Sequence, residues 1–474
     1  MKVESGLGKN KVRHVLFCAG SMNMTPYSEY LIVAELLKKR GVRVGFLLSK
    51  PVHFQIVEKV FSLGCDAWFD GVIVRAKEVR VNEESDSFVK KHREANRGAM
   101  KKQFFFLRQL ASRWIKSIRL LLELRRQYKN HVVGFERQRP DCIVLYGDRN
   151  LGIFPAVIKA AKRLKIPTFV LQIASPDVEF LIRSRKECEE YWVEGKAGNE
   201  VAAALFKSFV KGSGETKIIF YPWYQIYPLF ILGMLPAKPW SLGDSFDGEL
   251  LLVSEYYKDM MRSQGASLKR CSVVGQVSLD VLYEMNQRRS AVRASIVNKY
   301  FNKHEGKVIV FSLPQFFEHH IMTWNEAKVT IQEMVDSASS VDGCVVLLVL
   351  HPKMKLEDYS FLEHGKYNVS LARDERLSQC LVAADMFLSC FESTLYWAIC
   401  CKIIPVYLDY FELGFSFESF PSVQVLEDRK AMQSEVSSIF DMEDKIKALL
   451  KEDAERMSPF DGKAEERLVQ AILG

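Results

Sequence analysis

Polar side chains that could carry out acid–base or phosphate chemistry follow three apolar runs of this chain. Asp148 comes after CIVLYG, the tripeptide HPK at 351–353 comes after VVLLVL, and EST at 392–394 comes after MFLSCF. A carboxylate at a strand end is suited to act as a general base, because proton removal from a hydroxyl needs a fixed and partly desolvated acceptor. We predict Asp148 as a catalytic base, and the structural alternative is an Asp that caps the following helix.

The other two loops carry groups suited to phosphate. The predicted nucleotide-binding residues in them are His351, Pro352, Lys353, Glu392, Ser393 and Thr394. An imidazole and an ammonium group on a loop stiffened by proline can bind a phosphate. Hydroxyl and backbone N–H groups at the start of a helix can hold a phosphate at the positive end of the helix. The structural alternatives are a core histidine and an ordinary Ser/Thr cap, but the two motifs together predict one phosphate site.

Apolar strands that alternate with helical stretches must position these loops. The runs at 12–20 and 42–49 are almost wholly apolar and flank a helix with Leu31, Ala34 and Leu37 spacing, which is typical of a parallel sheet covered on both faces. The segments GELLLVS, CSVVGQ, KVIVFSL, CVVLLVLH, ADMFLSC and KIIPVYL predict a second parallel sheet. We therefore predict an α/β fold of two Rossmann-like domains whose parallel sheets face each other across a cleft, where ligands bind at the strand ends.

The length of 474 residues predicts two large domains, an N-terminal acceptor domain at 1–235 and a C-terminal nucleotide-binding domain at 236–474. Gly20 is the only glycine in the first strand-to-helix turn, so the sequence has no G-x-G-x-x-G motif there and predicts no bound dinucleotide. We find no D-x-D motif and no zinc-type spacing of His, Cys and Asp. The prediction is therefore no metal and no cofactor.

Positive charge is concentrated in one part of the chain. The net charge is +8, with 48% hydrophobic and 26% charged residues, which is typical of a folded globular protein and does not require a nucleic-acid partner. The stretch 75–139 holds 18 Lys and Arg against 7 Asp and Glu, and within it apolar residues recur at helical spacing: Phe104, Phe105, Phe106, Leu107, Leu110, Trp114, Ile118 and Leu121. This pattern predicts a basic amphipathic helical insertion. Its outer face is either simply solvated or in contact with a polyanion or, over about 101–126, with a membrane surface.

A second segment could also touch lipid. The run from 218 to 235 has no charged residue, but prolines at 222 and 228 and a glycine at 233 interrupt it, which argues against a spanning helix. It is either buried between the domains or a partly exposed hairpin or helix in contact with lipid or an apolar acceptor. The ten scattered cysteines and the short apolar run near the amino terminus predict reduced, buried thiols in a cytoplasmic protein, peripheral to the membrane at most.

Two segments resemble a known superfamily. RPDCIVLYGDRNLGIFPAVIKAAKRLKIPTFVL is similar to the segment of UDP-N-acetylglucosamine 2-epimerases that runs from a Pro-Asp pair through Gly-Asp-Arg to an Ile-Pro strand. LLLVSEYYKDMMRSQGASLKRCSVVGQVSLDVL resembles their Gly-Asn turn and following Asp, with Gly275, Gln276 and Asp280 at the matching places. The chain thus resembles the GT-B superfamily of nucleotide-sugar glycosyltransferases, which includes these epimerases.

Downstream the pattern departs from the epimerases. KVIVFSLPQFFEHH has no His-Arg-x-Glu-Asn, and Leu395 and Ala398 stand where the family has Gly and Glu. The His-Pro and Ser-Thr pair instead resembles the motifs of bacterial sialyltransferases, capsule Kdo transferases and CDP-glycerol glycerophosphotransferases.

The resemblance implies an inverting, metal-independent transfer of a sugar from a nucleotide sugar to a polysaccharide or glycolipid acceptor. Gly275 and the two phosphate loops would hold the nucleotide, and Asp148 would activate the acceptor hydroxyl. Glu179 is the second candidate base, because the matching epimerase loop also supplies an acidic residue. The alternatives are a sugar-nucleotide 2-epimerase and a non-catalytic sugar-binding relative.

Overall fold

The computed structural model divides the chain into two compact units. It describes residues 12–20, 24–49, 54–69, 72–74, 99–173, 175–212, 216–244, 247–302, 304–318, 321–351, 354–390, 392–410 and 417–474. The first unit holds the described residues up to Val253, together with Tyr257–Val274 and Glu466–Gly474. The second unit holds Ser254–Tyr256 and Gly275–Glu465.

An eight-stranded sheet forms the centre of the first unit. Its strands are β1 (His14–Gly20), β2 (Arg43–Leu48), β3 (Asp66–Phe69), β4 (Val72–Val74), β5 (Cys142–Leu145), β6 (Thr168–Leu171), β9 (Glu249–Leu252) and β10 (Cys271–Val273), while β7 (Val210–Lys211) and β8 (Ile218–Ile219) form a separate antiparallel pair. The strands lie in the order β10-β9-β6-β5-β1-β2-β3-β4, and every neighbouring pair is parallel except β3 with β4. Strands buried on both faces explain the continuous apolar runs of the sequence.

Helices cover this sheet. They are α1 (Met24–Lys39), α2 (Phe54–Ser62), α3 (Ala99–Gln138), α4 (Phe154–Leu164), α5 (Val178–Lys186), α6 (Ala197–Leu205) and α7 (Trp223–Ile231), with α8 (Glu255–Ser263) following β9. One apolar cluster joins the sheet to α3 and α4 through residues such as Leu16, Ile143 and Phe135. A second cluster joins α3 to α5, α6 and α7.

The second unit contains a six-stranded parallel sheet. Its strands are β11 (Lys307–Ser312), β12 (Cys344–Val349), β13 (Val369–Leu371), β14 (Met386–Ser389), β15 (Ile404–Leu408) and β16 (Gln424–Leu426), in the order β13-β12-β11-β14-β15-β16. The helices are α9 (Val277–Gln287), α10 (Arg289–Phe301), α11 (Trp324–Ser339), α12 (Leu356–Tyr359), α13 (Leu377–Ala383), α14 (Glu392–Cys400), α15 (Met432–Asp441) and α16 (Glu443–Arg456). The last helix, α17 (Ala464–Leu473), belongs to the first unit from Glu466 onward.

Local sequence signals set several helix ends. Thr323 and Glu326 form a reciprocal capping box at the start of α11. Asp177 caps α5 by accepting a hydrogen bond from the backbone N–H of Glu179 at 3.0 Å. Lys165 ends α4 in the left-handed conformation, with φ of 56°.

The two parallel sheets confirm the predicted α/β class, but two strands join a sheet other than the one expected. GELLLVS and CSVVGQ become β9 and β10, which extend the first sheet beside β6. The assignment of these two segments to the second sheet is therefore wrong. The division between the compact units lies near position 274, whereas the predicted domain boundary is at 235.

The charge-free segment 218–235 belongs to the first unit. Most of it is buried, and Trp223, Tyr224, Ile226 and Leu229 enter the apolar cluster around α7. The segment is open at the end of α7 and just after it, where Phe230, Ile231 and Gly233 are exposed. No helix among the described residues is long and apolar enough to cross a membrane.

Eight of the ten cysteines are buried, as expected, while Cys271 is half-buried and Cys188 is exposed.

Candidate functional site

The topology of the second sheet marks one place for a ligand. The chain runs outward from β11 to β12 and β13 on one side, and from β14 to β15 and β16 on the other, so the strand order reverses between β11 and β14. In open α/β sheets, ligands bind beyond the carboxyl ends of the strands at such a switch point. Ser312, the last residue of β11, lies in register with Ser389, the last residue of β14.

The loops at this switch point carry the residues that are predicted to bind phosphate. Ser312 is also in register with Val349 at the end of β12, and the half-buried His351 follows two residues later. On the other side, α14 begins at Glu392, three residues beyond the end of β14. Because neighbouring strands lie ~4.8 Å apart, the sheet brings His351 and the first turn of α14 to one edge. The free backbone N–H groups of that turn give the edge a positive pole.

The structure describes only some of the other predicted nucleotide-binding residues. Pro352 and Lys353 lie outside the described residues, as do the side chains of Glu392 and Ser393, while Thr394 is half-buried in the first turn of α14. Gly275 has φ of 87°, a left-handed conformation that favours glycine, at the turn between β10 and α9. Because β10 belongs to the first sheet, Gly275 does not follow a strand of the second sheet.

Three buried polar atoms near this edge have no hydrogen-bond partner among the described residues. They are Gln315 Oε1 after β11, the hydroxyl of Tyr410 after β15, and Glu435 Oε2 in the first turn of α15. Gln315 is only 8% exposed. Buried polar groups in folded proteins are nearly always paired, so unpaired ones are expected where a ligand supplies the partner.

Burial and neighbouring titratable groups shift the pKa values of Tyr410 and Glu435. Burial, and then the charges of Cys390 and Glu435, raise the pKa of the Tyr410 phenol. Burial, and then Asp428 and Glu427, raise the pKa of the Glu435 carboxyl. Burial combined with like charges is an arrangement often found at functional sites. This part of the edge is acidic, and its carboxylates can accept hydrogen bonds from hydroxyl groups.

Asp148 lies at the corresponding place in the first sheet. The strand order of that sheet reverses between β1 and β5, and Asp148 is the third residue beyond the end of β5. The residue is buried, with 6% of its surface exposed, and Oδ2 accepts a hydrogen bond from the backbone N–H of Gly243 at 3.1 Å. The loop after β5 is thereby tied to the segment 239–243.

The neighbours of Asp148 form a buried polar network. The guanidinium of Arg149 donates to the carbonyl oxygen of Trp240, and the Tyr221 hydroxyl donates to the carbonyl oxygen of Arg149. Burial lowers the pKa of Arg149, and the charge of Asp148 opposes that shift. Burial and the charge of Asp148 raise the pKa of Tyr221. In this network Asp148 lies beside the half-buried guanidinium of Arg149.

Glu179 differs from Asp148 in its exposure. It lies in the first turn of α5, where the residue is exposed and its backbone N–H is bound by Asp177. The two predicted bases thus occupy different environments. A general base must come within hydrogen-bond reach of the acceptor hydroxyl, and an exposed carboxylate meets that need without a change in the fold.

Two cavities lie elsewhere in the first unit. One of about 370 Å³ is lined by residues such as Lys238, Asp244 and Arg270, and one of about 780 Å³ includes Thr168 and Glu249. Thr168 and Glu249 are the first residues of β6 and β9, so the larger cavity lies at the amino ends of these strands. These cavities coincide with none of the predicted site residues.

Within the described ranges, no three His, Cys, Asp or Glu side chains are grouped so that they could hold a metal ion. The absence of a metal from the reaction stays a prediction.

Sequence reasoning passed over Gln315, Tyr410 and Glu435. Gln315 and Tyr410 come within three residues of an apolar strand, in the same way as His351, and that position is the signal that could have found them. Glu435 has no such signal, because it reaches the edge from the following helix.

Solved structures with the same arrangement over nearly the whole chain are known. The calicheamicin glycosyltransferase CalG4 has a TM-score of 0.56 and 11% identity, covering 97% of both chains. The glycosyltransferase of kitacinnamycin has a TM-score of 0.53 and 12% identity, covering 97% of this chain and 99% of its own. The UDP-GlcNAc 2-epimerase of Neisseria meningitidis, solved with UDP-GlcNAc, has a TM-score of 0.50 and 12% identity, covering 97% and 99%.

No protein-family model matches the sequence, and no curated protein matches it. The structural likeness at this level of identity concerns the fold. The neighbours are GT-B glycosyltransferases and UDP-GlcNAc 2-epimerases, and the chain has the GT-B fold.

Proposed function

We propose that this chain is a glycosyltransferase that moves a sugar from a nucleotide-sugar donor to a polysaccharide or glycolipid acceptor. The observation that carries the proposal is the carboxyl edge of the second sheet. At its switch point, His351, the start of α14 and Gln315 follow three adjacent strands, and Gln315 Oε1 is buried without a partner in the part of the chain that the structure describes. This combination suits a ligand with both a diphosphate and a polar base or sugar.

The diphosphate would bind at the first turn of α14. There the backbone N–H groups and the side chains of Ser393 and Thr394 would donate hydrogen bonds, and the imidazole of His351 would face the same anion. These groups would stabilise the negative charge that develops on the leaving nucleoside diphosphate. In the proposed reaction this role needs no metal ion.

The acceptor hydroxyl would be activated from the first unit. A carboxylate would take its proton while the hydroxyl oxygen attacks the anomeric carbon on the face opposite the leaving group, which inverts the configuration. Asp148 and Glu179 are the two candidates. We favour Glu179 as the group that exchanges the proton, because a hydroxyl can reach its carboxylate and the bound acceptor would partly desolvate it. Asp148, bound by the Gly243 N–H, would hold the loop after β5 in place.

Two other functions fit this fold. A UDP-GlcNAc 2-epimerase is favoured by the GDRN sequence at 147–150 and by the Neisseria structure, solved with that nucleotide sugar. A non-catalytic sugar-binding relative is favoured by the replaced epimerase residues, among them Leu395 and Ala398.

One experiment separates the three. The purified chain is incubated with UDP-GlcNAc and with a panel of other nucleotide sugars, and both nucleotide release and formation of a 2-epimer are measured. A transferase releases the nucleotide when an acceptor is present, and this release persists in EDTA. Epimer formation without release identifies an epimerase, and neither product identifies the non-catalytic relative.

The variant His351→Ala and its control His364→Ala test the site itself. His364 is an exposed histidine of the same unit. Loss of charge-assisted hydrogen bonds should weaken donor binding by about 2 kcal/mol in His351→Ala and leave it unchanged in His364→Ala. Equal donor affinity in the two variants would contradict the placement of the nucleotide.

A further inference from the structure

The long helix α3 presents apolar side chains to solvent. Trp114, Ile115, Ile118 and Leu122 are 53%, 50%, 53% and 59% exposed. Their spacing of three and four residues places them along one side of the helix over about two turns. We call these four residues the α3 stripe. An ordered row of exposed large apolar residues on one helix face is not typical of a solvated surface.

The fold fixes this orientation of the helix. On the opposite side of α3, Leu124 and Phe135 are buried in the apolar clusters of the first unit. At the start of the stripe, the Trp114 ring makes an edge contact with the Trp223 ring, with centroids 5.0 Å apart. Rotation of α3 about its axis would expose this core, so the stripe cannot turn inward.

Cations border the stripe. Over residues 111–129 the helix carries six basic residues and one acidic residue, Glu123, which is bound by Arg126 at 2.9 Å. The basic residues are Arg113, Lys116, Arg119, Arg125, Arg126 and Lys129. All except Arg113 are exposed, and Arg125 and Lys129 continue the face of Ile118 and Leu122 by one and two further turns.

We propose that the α3 stripe and its cations bind the surface of an anionic lipid bilayer. A helix with exposed apolar side chains and many Lys and Arg lies in the plane of the interface, with its apolar face in the boundary between headgroups and acyl chains. Here the stripe would enter that boundary while the cations meet lipid phosphates. The proposal does not depend on the proposed catalytic function.

The same observations weigh against other occupants. A nucleic acid would pair with the cations but leave Ile115, Ile118 and Leu122 in water. A second copy of the chain, packed stripe against stripe, would bring two sets of five net positive charges together. A bilayer containing anionic lipid satisfies both the apolar and the charged groups.

The test is flotation of the full chain with lipid vesicles, without nucleotide or substrate. Vesicles of phosphatidylcholine alone are compared with vesicles that also contain about 30% of the anionic lipid phosphatidylglycerol. Each comparison is made at low and at high salt. The variants are Ile118→Glu combined with Leu122→Glu, and Arg125→Gln combined with Lys129→Gln. The control is Val329→Glu, which places a charge on a residue of α11 that is 59% exposed, like Leu122.

Wild type and Val329→Glu should float with anionic vesicles at low salt, and much less with neutral vesicles or at high salt. The fraction of protein bound to anionic vesicles should be at least about five-fold lower for both double variants than for wild type, as expected when two contacts with the bilayer are removed. Thermal unfolding and size-exclusion elution, unchanged from wild type, would show that the variants are folded.

Three results would overturn the proposal. The first is no flotation of wild type on anionic vesicles at low salt, and the second is equal flotation of wild type and both double variants. The third is self-association of wild type that disappears in Ile118→Glu with Leu122→Glu, which would assign the stripe to a second copy. Because no turnover is measured, these results are independent of the enzyme assay.

Discussion

The loops at the carboxyl edges of the two sheets differ in the groups that they present. At the first sheet, Oδ2 of Asp148 accepts a hydrogen bond from the Gly243 N–H, and the carboxyl lies beside the half-buried cation of Arg149. At the second sheet, Gln315 Oε1 and the Tyr410 hydroxyl are buried without a partner among the described residues. A buried polar group without a partner costs stability and needs another explanation. Since the loop with His351 and the start of α14 also lie at the second edge, we propose that the nucleotide binds there.

The largest effect should come from the first unit, in the rate of transfer. Glu179→Gln removes the exposed carboxylate that we favour as the base, and the rate constant of the transfer step should fall by about 10²–10⁴-fold. Because Glu179 is exposed, the melting temperature should not change. Single-turnover kinetics with saturating donor measure this rate.

Asp148→Asn, assayed beside it, sharpens the comparison. If this variant loses the rate while Glu179→Gln keeps it, the roles of the two carboxylates are the reverse of those proposed.

The next effect concerns stability. Asp148→Ala leaves the Gly243 N–H without its acceptor and removes the anion beside Arg149, so the free energy of unfolding should fall by about 1–3 kcal/mol. The matched control is Asp259→Ala, which removes an exposed carboxylate paired with Arg262 and should change that free energy by at most about 0.5 kcal/mol. Urea unfolding of both variants checks the prediction. Equal losses would show that the network around Asp148 does not hold the loop.

The smallest effect is expected at Gln315. Gln315→Leu removes a buried amide whose Oε1 has no partner among the described residues, so the ligand-free protein should be as stable as wild type or up to about 1 kcal/mol more stable. Nucleotide affinity should fall about five- to ten-fold, because the amide then no longer meets the ligand. Calorimetric titration and thermal unfolding of the same sample measure both quantities. A loss of stability without a loss of affinity would make Gln315 a structural residue.

The sequence predicts much of the secondary structure but not the partners of every strand. GELLLVS and CSVVGQ are recognisable as strands because they are apolar and short. Their membership of the first sheet depends on pairing of β9 with β6, which are about eighty residues apart in sequence, and no local pattern encodes that pairing. The same limit explains why the division between the units lies later than expected.

The basic amphipathic helix shows the opposite case. The periodicity from Phe104 to Leu121 predicts a helix over about 101–126, and α3 spans Ala99–Gln138. The sequence alone leaves open which side of that helix faces solvent. Only the packing of Leu124 and Phe135 against the first unit shows that Ile118 and Leu122 are exposed.

The candidate site was predicted in part. His351 and the start of α14 could be identified from polar residues that follow apolar strands, and the sheet order places them at one switch point. The burial of Asp148 could not be predicted, because it depends on contacts with the segment 239–243, nearly a hundred residues away in sequence.

The most direct test of nucleotide binding at the second edge is thermal unfolding with CMP, CDP, UDP, GDP and TDP. A nucleotide present at about a hundred times its dissociation constant raises the free energy of unfolding by roughly 2.7 kcal/mol. We predict that at least one of the five raises the melting temperature of wild type and of His364→Ala, and that this increase is lost in His351→Ala. No increase with any nucleotide, or an equal increase in His351→Ala, would contradict the assignment of the second edge as the nucleotide site.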